Sequence, residues 1–165
     1  MIVSYETVVK ELFHVKRSAG FDLESFLPYR LSVTTNRVSR AFAAHYEQEF
    51  GISIPEWRVI AVLGAFAPLS SNEICERTAM DKAKVSRAVA SLLRAGAIER
   101  EAHGTDQRLI QLTLSRKGQK IYEAIIPRAR AIEAEVTKGL SKADIASLHR
   151  ALDRIGARLD EMESN

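Results

Sequence analysis

The residues that could do chemistry are concentrated in one segment, and most of them are basic. Between Asp81 and Gly118, eight lysines and arginines accompany four acidic residues, which leaves +4 in this segment and −1 in the rest of the 165-residue chain. Cations clustered in this way neutralise phosphates and release counterions, so the segment favours a polyanionic partner. The eight basic residues are Lys82, Lys84, Arg87, Arg94, Arg100, Arg108, Arg116 and Lys117.

Other kinds of chemistry find little support in the sequence. His14, His45, His103 and His149 are scattered, and no pair has the spacing of metal ligands, so we expect no metal site. The sequence contains no nucleophile beside a base and no phosphate-binding loop, so we expect neither enzymatic activity nor a cofactor. The single cysteine, Cys75, is interpreted as a small packed side chain rather than as an oxidant sensor.

Length and composition fit one compact domain with extensions. Hydrophobic residues make up 46% of the chain, which is enough to bury a core without disulfides. The sequence has no apolar run of about 18 residues and no signal-peptide pattern. It therefore predicts a soluble, cytoplasmic protein that does not associate with a membrane.

Two short helices are expected to position the basic residues. Ser70 and Glu73 have the spacing of a capping box, which predicts a helix start. Asp81 can cap a second helix, and Gly96 can end it. One face of the second helix is apolar, with Val85, Val89, Leu92 and Leu93. The opposite face can contact a groove, and it carries Ala83, Lys84, Arg87, Ser91 and Arg94.

A hairpin is predicted after these helices. Residues 98–102 and 109–115 have the pattern of strands, with apolar and polar residues alternating in the second, and residues 103–106 form the tip between them. Helix, helix and hairpin is the order of a winged helix-turn-helix, whose second helix enters the DNA major groove. The predicted fold is mainly α, with a two-stranded β wing and a helical dimerisation region.

Amphipathic helices flank this unit on both sides. The helix before it has a stripe formed by Leu27, Leu31, Thr34, Val38, Phe42 and His45. After the wing, a helix from residue 116 to 139 contains Pro127, where we expect a kink. The last helix has a stripe close to a heptad seam, and so regular a stripe predicts a second copy of the chain as its partner. That stripe is Ile145, Leu148, Leu152, Ile155, Leu159 and Met162.

Three stretches resemble the multiple-antibiotic-resistance regulator (MarR) family of bacterial winged-helix transcription factors. They are PEWRVIAVL (55–63), KAKVSRAVASLLRAGAIER (82–100) and DQRLIQLTLSRKG (106–118), and with the flanking helices the similarity covers about residues 25–162. The wing pattern, Asp-x-Arg followed by alternating Leu and Thr and then Gly, is a specific feature. The resemblance implies a homodimer whose two recognition helices enter successive major grooves of a pseudo-palindromic operator in double-stranded DNA.

The resemblance divides the chain into four segments. They are an N-terminal arm over residues 1–24 with a short helix over 4–14, a dimerisation helix over 25–52, a DNA-binding lobe over 53–115 and C-terminal dimerisation helices over 116–165.

The resemblance also implies roles for individual residues. Arg87 matches a recognition-helix arginine that contacts DNA in the family, and Lys84 and Ala83 occupy neighbouring contact positions. Arg108 matches the wing arginine that enters the minor groove, and Asp106 resembles the residue that orients the wing. An ion pair between Arg108 and Asp106 would have the same spacing, so both roles stay open.

The chemistry of other polar residues adds candidates for DNA contact. Lys82, Lys84 and Ser91 can reach phosphates or base edges, although charged residues are common on any exposed helix face. Ser86 lies near the edge of the buried face. Ser71 can donate to a phosphate, although a capping role alone would also explain it.

In the MarR family a small effector binds between the dimerisation helices and the DNA-binding lobe. The resemblance therefore implies candidate ligand residues, which could hold an anionic aromatic molecule by stacking and a charge-assisted hydrogen bond. Packing alone would also explain them. They are Tyr29, Arg30, His45, Trp57 and Arg58.

The predicted function is sequence-specific DNA-binding transcriptional regulation, with the protein acting as a repressor that a small effector releases from its operator. The alternative is a winged-helix module that binds another protein and not DNA. That alternative predicts an apolar or acidic recognition face, whereas the sequence predicts a basic one.

Overall fold

A computed structural model describes residues 21–102 and 110–164. The predicted helix over residues 4–14 and the predicted wing tip over 103–106 lie outside the described residues. In the described part of the chain, six helices and one hairpin follow each other. They are α1 (Leu27–Phe50), α2 (Ile54–Phe66), α3 (Ser71–Thr78), α4 (Lys82–Arg94), β1 (Ile98–Ala102), β2 (Ile110–Leu114), α5 (Arg116–Val136) and α6 (Lys142–Glu163).

The mainly helical class and the two-stranded wing are confirmed. The two strands are antiparallel, with Ile98 opposite Leu114 and Ala102 opposite Ile110. A bridge that was not predicted attaches this hairpin to the turn before α3. The Leu69 N–H donates to the Leu112 carbonyl at 3.1 Å, and the Leu112 N–H donates back at 2.8 Å. The wing is therefore held to the helix-turn-helix by backbone hydrogen bonds.

The chain divides into two compact units, Met1–Arg37 and Val38–Asn165. In the described part of the first unit, the Phe21 and Phe26 rings meet edge to face with their centroids 5.0 Å apart. Several large apolar side chains of this unit are exposed, namely Phe21, Leu23, Phe26, Leu27 and Tyr29.

Local sequence sets the boundaries of the helix-turn-helix as predicted. The Ser70 hydroxyl accepts the Glu73 N–H at 3.3 Å, and the Glu73 carboxylate accepts the Ser70 N–H at 2.7 Å. The Asp81 carboxylate accepts the Lys84 N–H at 2.8 Å and so caps α4. After α4, Gly96 adopts a φ of 65°, a left-handed conformation that glycine takes without a steric penalty.

One core joins the helix-turn-helix to the wing and to the first half of α5. Its most deeply buried side chains come from five elements: Val59, Ile60 and Leu63 of α2, Ile74 of α3, Val85 of α4, Leu112 of β2 and Ile125 of α5. On α4, Ala88 is also buried, and Leu93, predicted on the apolar face, is half-buried. The orientation of α4 is thus fixed by packing on its apolar face.

The flanking helices bury less of their apolar surface. On α1 the buried residues are Ala43 and Tyr46, whereas Val38 and Phe42 of the predicted stripe are half-buried. These two side chains line a groove of about 290 Å³ together with residues of α5. The α5 helix continues through Pro127, and no residue of α6 is buried.

The Ser70 cap is expected to stabilise the fold. Ser70→Ala removes the acceptor for the Glu73 amide, and loss of such a cap should lower the free energy of unfolding by about 1 kcal/mol. Ser71→Ala is the matched control, because Ser71 is exposed and the cap is formed by its neighbour. Urea unfolding monitored by circular dichroism measures the free energy of unfolding of both variants. Equal stability of the two variants would contradict this assignment.

Candidate nucleic-acid interface

The outer face of α4 is exposed and basic. Lys82, Lys84 and Arg87 are exposed on it, as are Ala83 and Ser86. The opposite face carries the buried side chains Val85, Ala88, Val89 and Leu92. Because the apolar face holds the helix against the core, the cationic face is presented to solvent, as the sequence pattern predicts.

A groove between α3 and α4 brings several of the predicted contact residues together. It has a volume of about 330 Å³, and Ser71, Lys82 and Ser86 all line it. Arg100 of β1 lines the same groove, although the sequence pattern did not predict it as a contact residue. The sequence feature that pointed to Arg100 was its place in the basic segment between Asp81 and Gly118. Cys75 is half-buried in this groove.

Asp81 adjusts the electrostatics at the start of α4. Hydrogen bonds from the Lys84 backbone and side chain, helped by the nearby charges of Lys84 and Arg87, lower the pKa of Asp81. The Lys84 ammonium lies 3.0 Å from the Asp81 carboxylate, and both side chains are more than half exposed. An ion pair this exposed contributes little stability, so Lys84 can leave it for a phosphate at low cost.

Ser91 has a partner within the protein. It is half-buried on α4 and hydrogen-bonds the Glu56 carboxylate of α2. Burial raises the pKa of Glu56, but hydrogen bonds from Ser53 and Ser91 outweigh it, and the net pKa is lowered. The Ser53 N–H also donates to Glu56 at 2.7 Å, which makes a cap at the start of α2 that we did not predict. Ser91 therefore lies at the edge of the basic face.

Two predicted wing residues cannot be placed. Asp106 and Arg108 lie outside the described residues, so their roles stay predictions. The part of the wing that is described carries exposed Arg100 and Glu101, and the Glu101 carboxylate accepts the Thr113 hydroxyl at 3.3 Å.

The predicted ligand residues lie on α1 and α2. Tyr29 and Arg30 belong to the first unit and are exposed. Trp57 and Arg58 lie on α2 and are half-buried, and His45 belongs to α1. Of the five candidates, Trp57 and Arg58 are consecutive residues of one helix, α2.

Trp57 and Arg58 both pack within the second unit. The Trp57 ring lies 5.8 Å from the Tyr46 ring and 6.3 Å from the Tyr122 ring, measured between centroids. Arg58 donates to the Ser39 hydroxyl at 3.3 Å. Burial, and then the charge of Glu47, raise the pKa of Tyr46 to about 12, against the opposing effect of Arg58. This cluster joins α1, α2 and α5.

Metal-binding and membrane-spanning features are absent from the described residues. Among them, no three histidine, cysteine, aspartate or glutamate side chains are grouped so that they could hold a metal ion. Within residues 21–102 and 110–164, no helix has the length and hydropathy needed to cross a membrane.

Comparisons with known proteins all indicate the same family. Residues 50–109 match the model of the MarR family. The chain is 28% identical over 109 residues to the HTH-type transcriptional regulator BilQ of Clostridium symbiosum (strain WAL-14163), covering 66% of this chain and 76% of BilQ.

Solved structures agree with the sequence comparison. A MarR/EmrR family transcriptional regulator from Acinetobacter sp. ADP1 has a TM-score of 0.79 and 27% identity, covering 86% of this chain and 99% of that one. A MarR family regulator from Listeria monocytogenes, solved with a 26-mer DNA, has a TM-score of 0.76 and 18% identity. That alignment covers 82% of this chain and 90% of the Listeria chain, and it supports the fold alone.

Proposed function

Because the chain belongs to the MarR family of winged-helix transcriptional regulators, we propose that it binds a pseudo-palindromic operator in double-stranded DNA through α4 and the wing. The observation that carries this proposal is the exposed cationic face of α4 above a buried apolar face. Phosphate contacts fix the position of such a helix, and side chains at base edges supply specificity. The Listeria regulator, which shares the fold, was solved with a 26-mer DNA, so this proposal gives α4 and the wing a use that the fold has in that protein.

The proposed contacts fall into two groups. Ser71, Lys82 and Ser86 line the groove between α3 and α4, where they can donate to phosphates. Lys84, Arg87 and Ala83 lie on the outer face of α4, with Ser91 at its edge, and in this proposal Arg87 reads a base edge. Arg108 enters the minor groove, and Asp106 orients the wing.

A homodimer would place two such faces on one duplex. Residues 53–115 form the DNA-binding lobe, and residues 25–52 and 116–165 form the dimerisation region, with residues 1–24 as an arm. Apolar side chains of α6 support this division, because Leu148 is 48% exposed, Leu152 43%, Leu159 52% and Met162 61%. Exposed apolar surface of this regularity is suited to pairing with a second copy.

Regulation in this proposal is repression relieved by a small anionic aromatic effector. Arg58 supplies a guanidinium, and Trp57 supplies a ring that is stacked on Tyr122; Tyr29, Arg30 and His45 are the further candidates. An effector that binds better to one spacing of the two recognition helices shifts the population toward that spacing and lowers operator affinity.

The salt dependence of DNA binding tests the proposal. Duplexes selected from random sequence should bind the full chain, and the logarithm of the association constant should fall with the logarithm of the salt concentration. We expect a slope of about −0.9 for each phosphate that the protein neutralises. Fluorescence anisotropy across a salt series measures this slope. Absence of duplex binding even at low salt would contradict the proposal and favour the protein-binding alternative.

A further inference from the structure

Three consecutive carbonyl groups join the end of α4 to the start of α5. The Ala95 carbonyl accepts the Lys117 ammonium at 2.8 Å. The Gly96 carbonyl accepts the Ser115 hydroxyl at 2.7 Å, and the Ala97 carbonyl accepts the Ser115 N–H at 3.1 Å. We refer to these contacts between residues 95–97 and residues 115–117 as the α4–α5 junction.

The junction is packed as well as hydrogen-bonded. A Cβ atom added at Gly118 would overlap the Ala97 carbonyl oxygen, so only glycine allows this approach of α5. The Ser115 hydroxyl, which donates to Gly96, also accepts the Gly118 N–H at 3.1 Å and caps α5. One side chain thus starts α5 and binds the segment that ends α4.

Lys117 supplies the charge at this junction. The carbonyl groups at the end of a helix carry partial negative charge, and a cation there is favourable. Lys117 was one of the eight basic residues counted toward phosphate neutralisation, but its ammonium is directed at the Ala95 carbonyl.

We infer that Lys117 is a positioning residue for DNA recognition, which holds the end of α4 against the first turn of α5 and does not bind a phosphate. This inference rests on the proposed function. The hydrogen bonds of the junction make the end of α4 follow any movement of the first turn of α5. Because α5 belongs to the proposed dimerisation region, this contact would set the spacing of the two recognition helices in a dimer.

Two interpretations of Lys117 predict different salt dependence. For Lys117→Gln, a positioning role predicts an operator affinity lower by about two- to fivefold at every salt concentration, with an unchanged slope. A phosphate-binding role predicts a slope whose magnitude is smaller by about 0.9, because the variant neutralises one phosphate fewer. Anisotropy titrations of wild type and variant over one salt series separate them, and a reduced slope would overturn the inference.

Matched variants exclude general effects of charge. Lys120→Gln removes the same charge from an exposed position one turn further along α5. At each salt concentration, the operator affinity of this variant should be close to that of wild type. Lys117→Arg can still donate to Ala95 and should restore most of the affinity. An affinity of Lys117→Arg as low as that of Lys117→Gln would count against the inference.

Hydrogen exchange measures the junction without DNA. The Gly96 and Ala97 amides donate to the Leu93 and Leu92 carbonyls, at 3.0 Å and 2.9 Å. In Lys117→Gln these two amides should exchange faster, while amides in α6 should not change. Unchanged exchange would overturn the inference. If wild type bound no duplex while exchange changed as expected, the proposed function would fail and the mechanical role of Lys117 would stand.

Discussion

Leu152→Asp should convert the protein to monomers or unfold it. The proposed dimer buries the α6 stripe, and Leu152 lies at its centre with 43% of its surface exposed in the single chain. A buried carboxylate without a partner costs about 3–5 kcal/mol, and twofold symmetry introduces two of them. Sedimentation velocity over a concentration series measures the assembly, and far-ultraviolet circular dichroism measures the fold.

The matched control for this prediction is Ala157→Asp. Ala157 is exposed on α6 and lies about 140° around the helix from Leu152, given 100° per residue, so it adds the same charge away from the stripe. This variant should remain a folded dimer. A folded Leu152→Asp dimer with the stability of the control would show that α6 pairs through another face.

The helix-turn-helix could be predicted closely because its boundaries depend on local chemistry. The capping box of Ser70 and Glu73 and the cap at Asp81 satisfy backbone donors that have no partner inside the helix, whatever surrounds them. The resemblance to the MarR family is confirmed, and it rested on residues 55–63, 82–100 and 106–118. The cap that Glu56 forms on Ser53 could have been predicted in the same way, because these two residues have the same three-residue spacing as Ser70 and Glu73.

Contacts between distant parts of the chain could not be predicted in this way. The pairing of Leu69 with Leu112 depends on the path of the turn before α3, and no periodicity encodes it. Lys117 looked like any other basic residue, since only the fold places it beside Ala95. Ser91 looked like a groove contact for the same reason, and the fold places it beside Glu56.

The stripes of the flanking helices were visible in the sequence, but their partner was not. On α1 the core takes Ala43 and Tyr46, whereas Val38 and Phe42 of the predicted stripe stay half-buried. On α6 no residue is buried. Periodicity identifies an apolar face but does not distinguish a face that covers the chain's own core from one suited to a second copy.

Arg87→Ala should weaken operator binding by about 1–3 kcal/mol and relax specificity at one base position. Arg87 is exposed on α4 beside the capping carboxylate of Asp81, whose pKa it helps to lower. A guanidinium there can bond bidentately to guanine, and alanine cannot replace either hydrogen bond. Anisotropy titrations against the selected operator and its single-base variants measure both effects.

Arg77→Ala is the matched control for Arg87→Ala. It removes the same charge from the same lobe, but the Arg77 guanidinium lies over the Phe66 ring, 4.2 Å from its centroid. The Arg77→Ala variant should keep the base preferences of wild type, because the wild-type Arg77 side chain packs on Phe66 of α2. If Arg87→Ala kept full affinity and the same base preferences, Arg87 would not be part of the interface, and base recognition would have to come from Lys84 and the wing.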